Sequence, residues 1–128
     1  MKKVPTRLVA RNVDTGELVA NRVTVATRKV ERAVGLLKHS TLPPGEGLLI
    51  TPCRGVHTWG MRFTIDILAL DATGVVVDAV RALGPWRIRL PRPGAVSVLE
   101  LPAGSLMKTN TERGHRIELQ LAPAWEGQ

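Results

Sequence analysis

Ile65-Asp66-Ile67-Leu68-Ala69-Leu70-Asp71-Ala72-Thr73-Gly74-Val75-Val76-Val77-Asp78-Ala79-Val80-Arg81-Ala82-Leu83 is the stretch that decides the fold. Residues 65–71 and 75–83 are two apolar runs of strand length, rich in the β-branched Ile and Val whose stiff side chains suit a pleated surface. Ala72-Thr73-Gly74 separates them, preceded by an Asp that can bond its own backbone and ending in a Gly that tolerates positive φ. The pattern predicts a β-hairpin.

Downstream, Gly84-Pro85 breaks the hairpin, and residues 86–90 alternate as an edge strand would before Pro91 and Pro93 end it. Residues 96–101 read as a strand, Pro102-Ala103-Gly104 as a turn, 105–109 as a helical turn and 115–121 as a final strand. Upstream, residues 48–51 read as a short buried strand after a loop containing Pro43-Pro44-Gly45. Val30, Ala33, Val34 and Leu37 make one apolar stripe at helical spacing, with Thr27 placed as N-cap, so residues 27–38 are expected to form the main helix. Residues 7–13 and 18–26 read as a further hairpin around Asp14-Thr15-Gly16-Glu17. The expectation is a mostly β (α+β) chain: an antiparallel or mixed sheet of seven or eight short strands curling toward a barrel. All 128 residues are expected to form a single domain, a usual size for one.

Apolar residues make up 44% of the chain, which argues against disorder. The net charge is +7, and its 13 Arg and 5 Lys are scattered and form no run. A solvated basic surface accounts for that pattern better than a nucleic-acid footprint. Cys53 is the only cysteine, so no intrachain disulfide can form. No apolar h-region follows the N-terminal charges, and no apolar run approaches membrane-spanning length. A cytoplasmic location without membrane contact is the expectation.

Several short pieces recur in a recognisable order. They are residues 32–37 (Arg-Ala-Val-Gly-Leu-Leu), Gly45-Glu46-Gly47-Leu48-Leu49-Ile50, Cys53 through Asp66, Leu70-Asp71, Gly74-Val75-Val76, Pro85, and Leu99-Glu100-Leu101-Pro102-Ala103-Gly104. Over about residues 25–120 this set resembles the bacterial and archaeal family called domain of unknown function 192. The resemblance implies a small, mostly β fold and no established reaction. Many relatives look exported, which this chain does not. Some relatives carry an aromatic where His57 stands, which argues against a universal chemical role there.

Residues 53–66 hold the densest set of special side chains. Cys53, His57 and Met61 recur every four residues, so an extended segment would turn all three to one side. Thiolate, imidazole and thioether are a soft set suited to Cu(I), but the spacing matches no zinc motif. A buried Cys, a gap-filling Met and a backbone-bonded His explain the three more simply, and no metal or other cofactor is expected. Cys53 and His57 also have the residue types of a nucleophile and base, without any third group to orient them. Trp59, Met61, Arg62 and Phe63 are suited to a sugar, base or peptide. Asp66 lies inside an apolar strand, where a carboxylate needs partners: Arg62, backbone N–H groups, or a ligand. Glu100, between Leu99 and Leu101, poses the same question. Arg81, Arg87, Arg89 and Arg92 beside Trp86 could form a strip for single-stranded nucleic acid, although an edge strand protected by charge uses the same residues. The chain has no phosphate-binding loop, dinucleotide fingerprint, paired helical His or calcium loop. The leading expectation is a small-ligand or peptide-binding module with Cys53, His57, Trp59, Met61, Arg62 and Asp66 at its site. Nucleic-acid binding is the runner-up, and a hydrolytic or metal-dependent enzyme the third.

Overall fold

The structure is a computed structural model that describes residues 5–26, 42–52, 63–84 and 92–124, with the backbone alone at 56–57 and 88–89. Ten strands lie among these residues. They are β1 (Thr6–Asn12), β2 (Leu18–Ala20), β3 (Arg22–Ala26), β4 (Glu46–Ile50), β5 (Val56–His57), β6 (Ile65–Leu70), β7 (Val76–Leu83), β8 (Ile88–Arg89), β9 (Ser97–Pro102) and β10 (Ile117–Pro123). A single short helix, α1 (Ser105–Lys108), accompanies them among the described residues. The mostly β expectation holds. The strands do not close into a barrel, however: they form a three-stranded sheet β10-β1-β2, a five-stranded sheet β3-β4-β9-β6-β7 and a separate β5-β8 ladder.

The hairpin of residues 65–83 is present as β6 and β7, paired antiparallel. Its turn is held by Asp71, whose Oδ1 accepts bonds from the Thr73 N–H (2.8 Å), the Thr73 hydroxyl (2.8 Å) and the Val75 N–H (3.0 Å). The first expected hairpin is divided. Its second strand breaks at Asn21, and β3 crosses to the larger sheet to pair in parallel with β4. The break is fixed from a distance: the Asn21 and Arg22 N–H groups both donate to Gly45 O, and the Arg7 guanidinium donates to the Asn21 carbonyl at 2.9 Å. This division and the two-residue β5 raise the strand count above the eight expected. The expected helix at 27–38 lies outside the described residues, within the connection between parallel strands β3 and β4.

Strand β9 is the centre of the larger sheet, antiparallel to β4 on one side and β6 on the other. Leu49, Leu99 and Leu68 are in register across β4, β9 and β6. They pack with Ala10, Val19, Ala20, Leu106 and Ile117 into the core between the two sheets. Gly47 fits this seam because a Cβ there would meet Ala20 and Leu101 at 3.2–3.3 Å. The alternate residues face the other way: Leu48, Ile50, Ile65, Ile67 and Val98 form a second buried cluster, joined by Ala26 and Leu42. Both faces of the sheet are therefore apolar at its centre, the arrangement that makes central strands read as near-continuous apolar runs.

Candidate functional site

Two carboxylates interrupt those runs, and the pleat sends them to opposite faces. Asp66 shares its face with Leu68 and the inter-sheet core. It is 1% exposed and fully engaged. Its Oδ1 accepts from the Ala82 N–H at 2.9 Å, and its Oδ2 accepts from the Gly104 and Leu106 N–H groups at 3.1 and 3.0 Å. One side chain thus ties β6 to the end of β7, where Ala82 has a φ of 54°, and to the start of α1. Backbone N–H groups, one kind of partner considered for Asp66 from sequence, hold it here, while Arg62 lies outside the described residues.

Among the described residues Glu100 has no such partners. Register places it between Leu48 on β4 and Ile67 on β6, within the second apolar cluster. It is 3% exposed. Among the described residues its Oε2 is the one buried side-chain polar atom without a hydrogen bond. Burial alone pushes its carboxyl from the ordinary 4.5 up to about 8. At neutral pH the group is mostly protonated, a neutral donor and acceptor in an aliphatic setting. Such a group can bond a ligand oxygen, ionise against an incoming cation, or exchange a proton with a bound molecule. The sequence signal for it was present, a carboxyl inside Leu99-Glu100-Leu101. What it did not reveal was which of two similar carboxyls would find partners.

The structure places the other candidates as follows. Cys53, Trp59, Met61, Arg62 and Arg87 lie outside the described residues. His57 is in β5, its backbone opposite Ile88, and Arg89 is in β8 opposite Val56; neither side chain is described. In the chain, residues 51–64 join β4 to β6, the two strands that flank Glu100. Arg81 is exposed on β7. Arg92 Nε lies 3.4 Å from Asp78 Oδ2, so part of its charge is matched within the chain. Among the described residues no group of three or more His, Cys, Asp or Glu is disposed to hold a metal ion. A groove of about 330 Å³ runs between Asp71–Gly74, Val96–Ser97 and Glu118–Leu119. Its acidic groups are committed: Asp71 holds the turn, its carboxyl kept below the ordinary 3.8 foremost by the Thr73 hydroxyl, and Glu118 accepts from Gln120.

Comparison with known proteins agrees with this architecture. The profile of the DUF192 family, described as an uncharacterized ACR, matches residues 10–119. A UPF0127 protein of Pyrococcus abyssi is 33% identical over 103 residues, covering 76% of this chain and 85% of that protein. A UPF0127 protein of Thermococcus sibiricus is 30% identical over 118 residues, covering 86% of this chain and 73% of that one. The crystal structure of a candidate transcription regulator from Sinorhizobium meliloti superposes with a TM-score of 0.75 at 20% identity, covering 92% of this chain and 96% of that one. This last likeness establishes the fold alone. By the extent of the profile match and the identity to its archaeal relatives, the chain belongs to the DUF192 family, whose function is uncharacterised.

Proposed function

We propose that this protein is a small-ligand-binding module whose site is the sheet face around Glu100, completed by residues from the 53–66 connection. The observation that carries this reading is Glu100 itself, a buried carboxyl with an unpartnered Oε2 in an aliphatic surface. Leaving such an atom unsatisfied costs about 1–3 kcal/mol. Small-molecule sites have this composition, mostly apolar with a few polar groups that fix orientation, and a strongly shifted carboxyl is a marker of them. Cys53, His57, Trp59, Met61 and Arg62 support the reading by their place in the chain, between the two strands that flank Glu100. Asp66 enters it as a positioning group, holding the corner formed by β6, β7 and α1. A reducing cytoplasmic setting fits the single cysteine. No helix among the described residues is long and apolar enough to cross a membrane.

A thermal-shift screen tests this reading, with nucleotides, sugars, short peptides, Cu(I), Zn²⁺ and single-stranded DNA and RNA at two salt concentrations. A ligand at about 100 times its Kd adds roughly 2.7 kcal/mol, a shift of several degrees for a chain of this length. Stabilisation by one small-molecule or peptide class, reduced in His57→Ala and Glu100→Leu, is the expected result. Stabilisation by nucleic acid alone, falling steeply with salt, would replace the reading with an Arg-surface interface. A panel without any shift would remove its support.

A further inference from the structure

We infer that the open edge of β10, with the groove beside it, docks an extended, uncharged aliphatic segment of another polypeptide as an added β-strand. This surface is separate from the Glu100 face and does not rest on the ligand-binding reading.

Backbone direction defines the edge. The Val13 N–H donates to the Arg116 carbonyl at 3.0 Å, and the Ala124 N–H donates to the Pro5 carbonyl at 3.0 Å, so Arg116 and Ala124 face β1. The Ile117 N–H points the other way, to the Gly74 carbonyl at 2.8 Å. In an antiparallel strand the N–H and C=O of one residue share a side, and successive residues alternate. Leu119 and Leu121 therefore turn their N–H and C=O groups away from β1. Strand β10 is the last of its sheet, and among the described residues nothing bonds those outward groups. The open stretch is bounded at both ends. Gly74 occupies the edge at Ile117, and Pro123 has no N–H to offer. Residues 118–122 remain, about 17 Å of edge, the length of a common strand.

The side chains agree with the backbone. Proteins normally blunt an open edge with charge or proline, yet the two outward positions here carry leucines, 39% and 73% exposed. Leu119 also lines the groove of about 330 Å³, where it and the half-exposed Val96 stand beside the buried Leu49 and Leu70. A strand added to β10 would run every second side chain over this groove. Main-chain bonds would then supply affinity and the groove would supply selectivity.

Hydrogen bonding, charge and area together select the occupant. Two donors and two acceptors at strand spacing are matched by an extended polypeptide. The carboxylates at the groove are answered within the chain: Arg116 acts on Asp71, and Arg11 is the cross-strand neighbour of Glu118. The groove is thus locally balanced, and its complement is neutral and aliphatic. A second copy fits less well, because it would set one net charge of +7 against another. The two leucines also expose little more than one leucine's surface between them, against about 800 Å² per partner in a stable dimer.

Seven-residue peptides test this, acetylated and amidated, with Thr alternating with Val, Ile or Leu. A second set carries Lys or Asp at the aliphatic positions, and a third is N-methylated at the amides that would join the ladder. Each is titrated into the full chain, and amide shifts and amide exchange are read residue by residue. The aliphatic set should bind and slow exchange at Leu119 and Leu121, and N-methylation should abolish binding. Leu121→Pro removes one outward N–H at an edge that tolerates proline, and should weaken binding about 5- to 10-fold. Leu119→Lys keeps the backbone, puts a charge at the groove, and should weaken binding as well. No binding by the aliphatic set at millimolar concentration would overturn the inference. So would fast exchange at Leu119 and Leu121 in the bound state, or shifts confined to the residues around Glu100. Preference for the Lys or Asp set would overturn the neutral class. Protection of the same amides that grows with protein concentration, without peptide, would put a second copy there instead.

Discussion

Replacing Glu100 by glutamine removes a proton-binding site from the centre of the larger sheet while keeping nearly the same shape, so the stability difference between the two proteins should depend on pH. In the unfolded chain the carboxyl loses its proton near 4.5; in the folded protein it keeps it up to about 8. Between those values the folded state binds more protons than the unfolded state, so wild-type stability falls as pH rises. The slope approaches 1.4 kcal/mol per pH unit, and the full effect is roughly 5 kcal/mol once pH exceeds about 8. Between pH 5 and pH 9 the wild type should therefore lose about 4 kcal/mol relative to Glu100→Gln. The carboxyl is 3% exposed, so solvent screening reduces this little. For a protein of this length that corresponds to about 15 °C in Tm, a large part of the 5–15 kcal/mol typical of a folded domain. Urea unfolding of both proteins at unit steps from pH 5 to 9 measures it. A difference that stays constant within about 0.5 kcal/mol would refute the reasoning, because Glu100 would then be ionised and partnered in the folded state.

Asp66→Ala should lower stability by about 3 kcal/mol or more, since it strands the N–H groups of Ala82, Gly104 and Leu106; urea midpoints and faster amide exchange at residues 104 and 106 would register it. Gly74→Ala should cost more than Gly16→Ala, although both glycines have positive φ, because a Cβ on Gly74 would lie 2.4 Å from the Ile117 carbonyl oxygen while one on Gly16 meets nothing. The second should cost about 1 kcal/mol and the first at least twice that, read from their Tm values. Asn12→Ala should cost about 2–4 kcal/mol, because the buried amide donates to the Thr111 hydroxyl (3.2 Å) and His115 Nδ1 (3.1 Å) while its carbonyl accepts from the Asp14 and Thr15 N–H groups; chemical unfolding would show the loss.

What could be read from the sequence was local. The 65–83 hairpin could be read because its two β-branched apolar runs and the Asp71–Gly74 turn are written in consecutive residues, and so could α1 after Gly104. The break at Asn21 could not, since residues 18–26 read as one continuous strand and the switch depends on Gly45 and Arg7, remote in the chain. Nor could the central place of β9, whose neighbours β4 and β6 are about fifty and thirty residues upstream. The same limit applied to the site. Ile65-Asp66-Ile67 and Leu99-Glu100-Leu101 are nearly equivalent patterns, and only strand register decides that one carboxylate meets three N–H groups and the other meets Leu48 and Ile67.

That difference separates the polar group that holds the fold from the one that does not. Asp66 joins three segments that would otherwise present unpaired N–H groups, so its burial is explained by what it binds. Among the described residues Glu100 bonds nothing, and its raised carboxyl is expected to weaken the folded state as pH rises. A carboxyl on an edge strand could turn to water. Glu100 has no such route, because β9 is hydrogen-bonded on both sides and buried on both faces. The face behind it is filled by Leu99 and Leu101, packed against β1, β2, β10 and α1. A partner for its Oε2 has to arrive on the face that carries Leu48 and Ile67, since the opposite face is closed by the inter-sheet core.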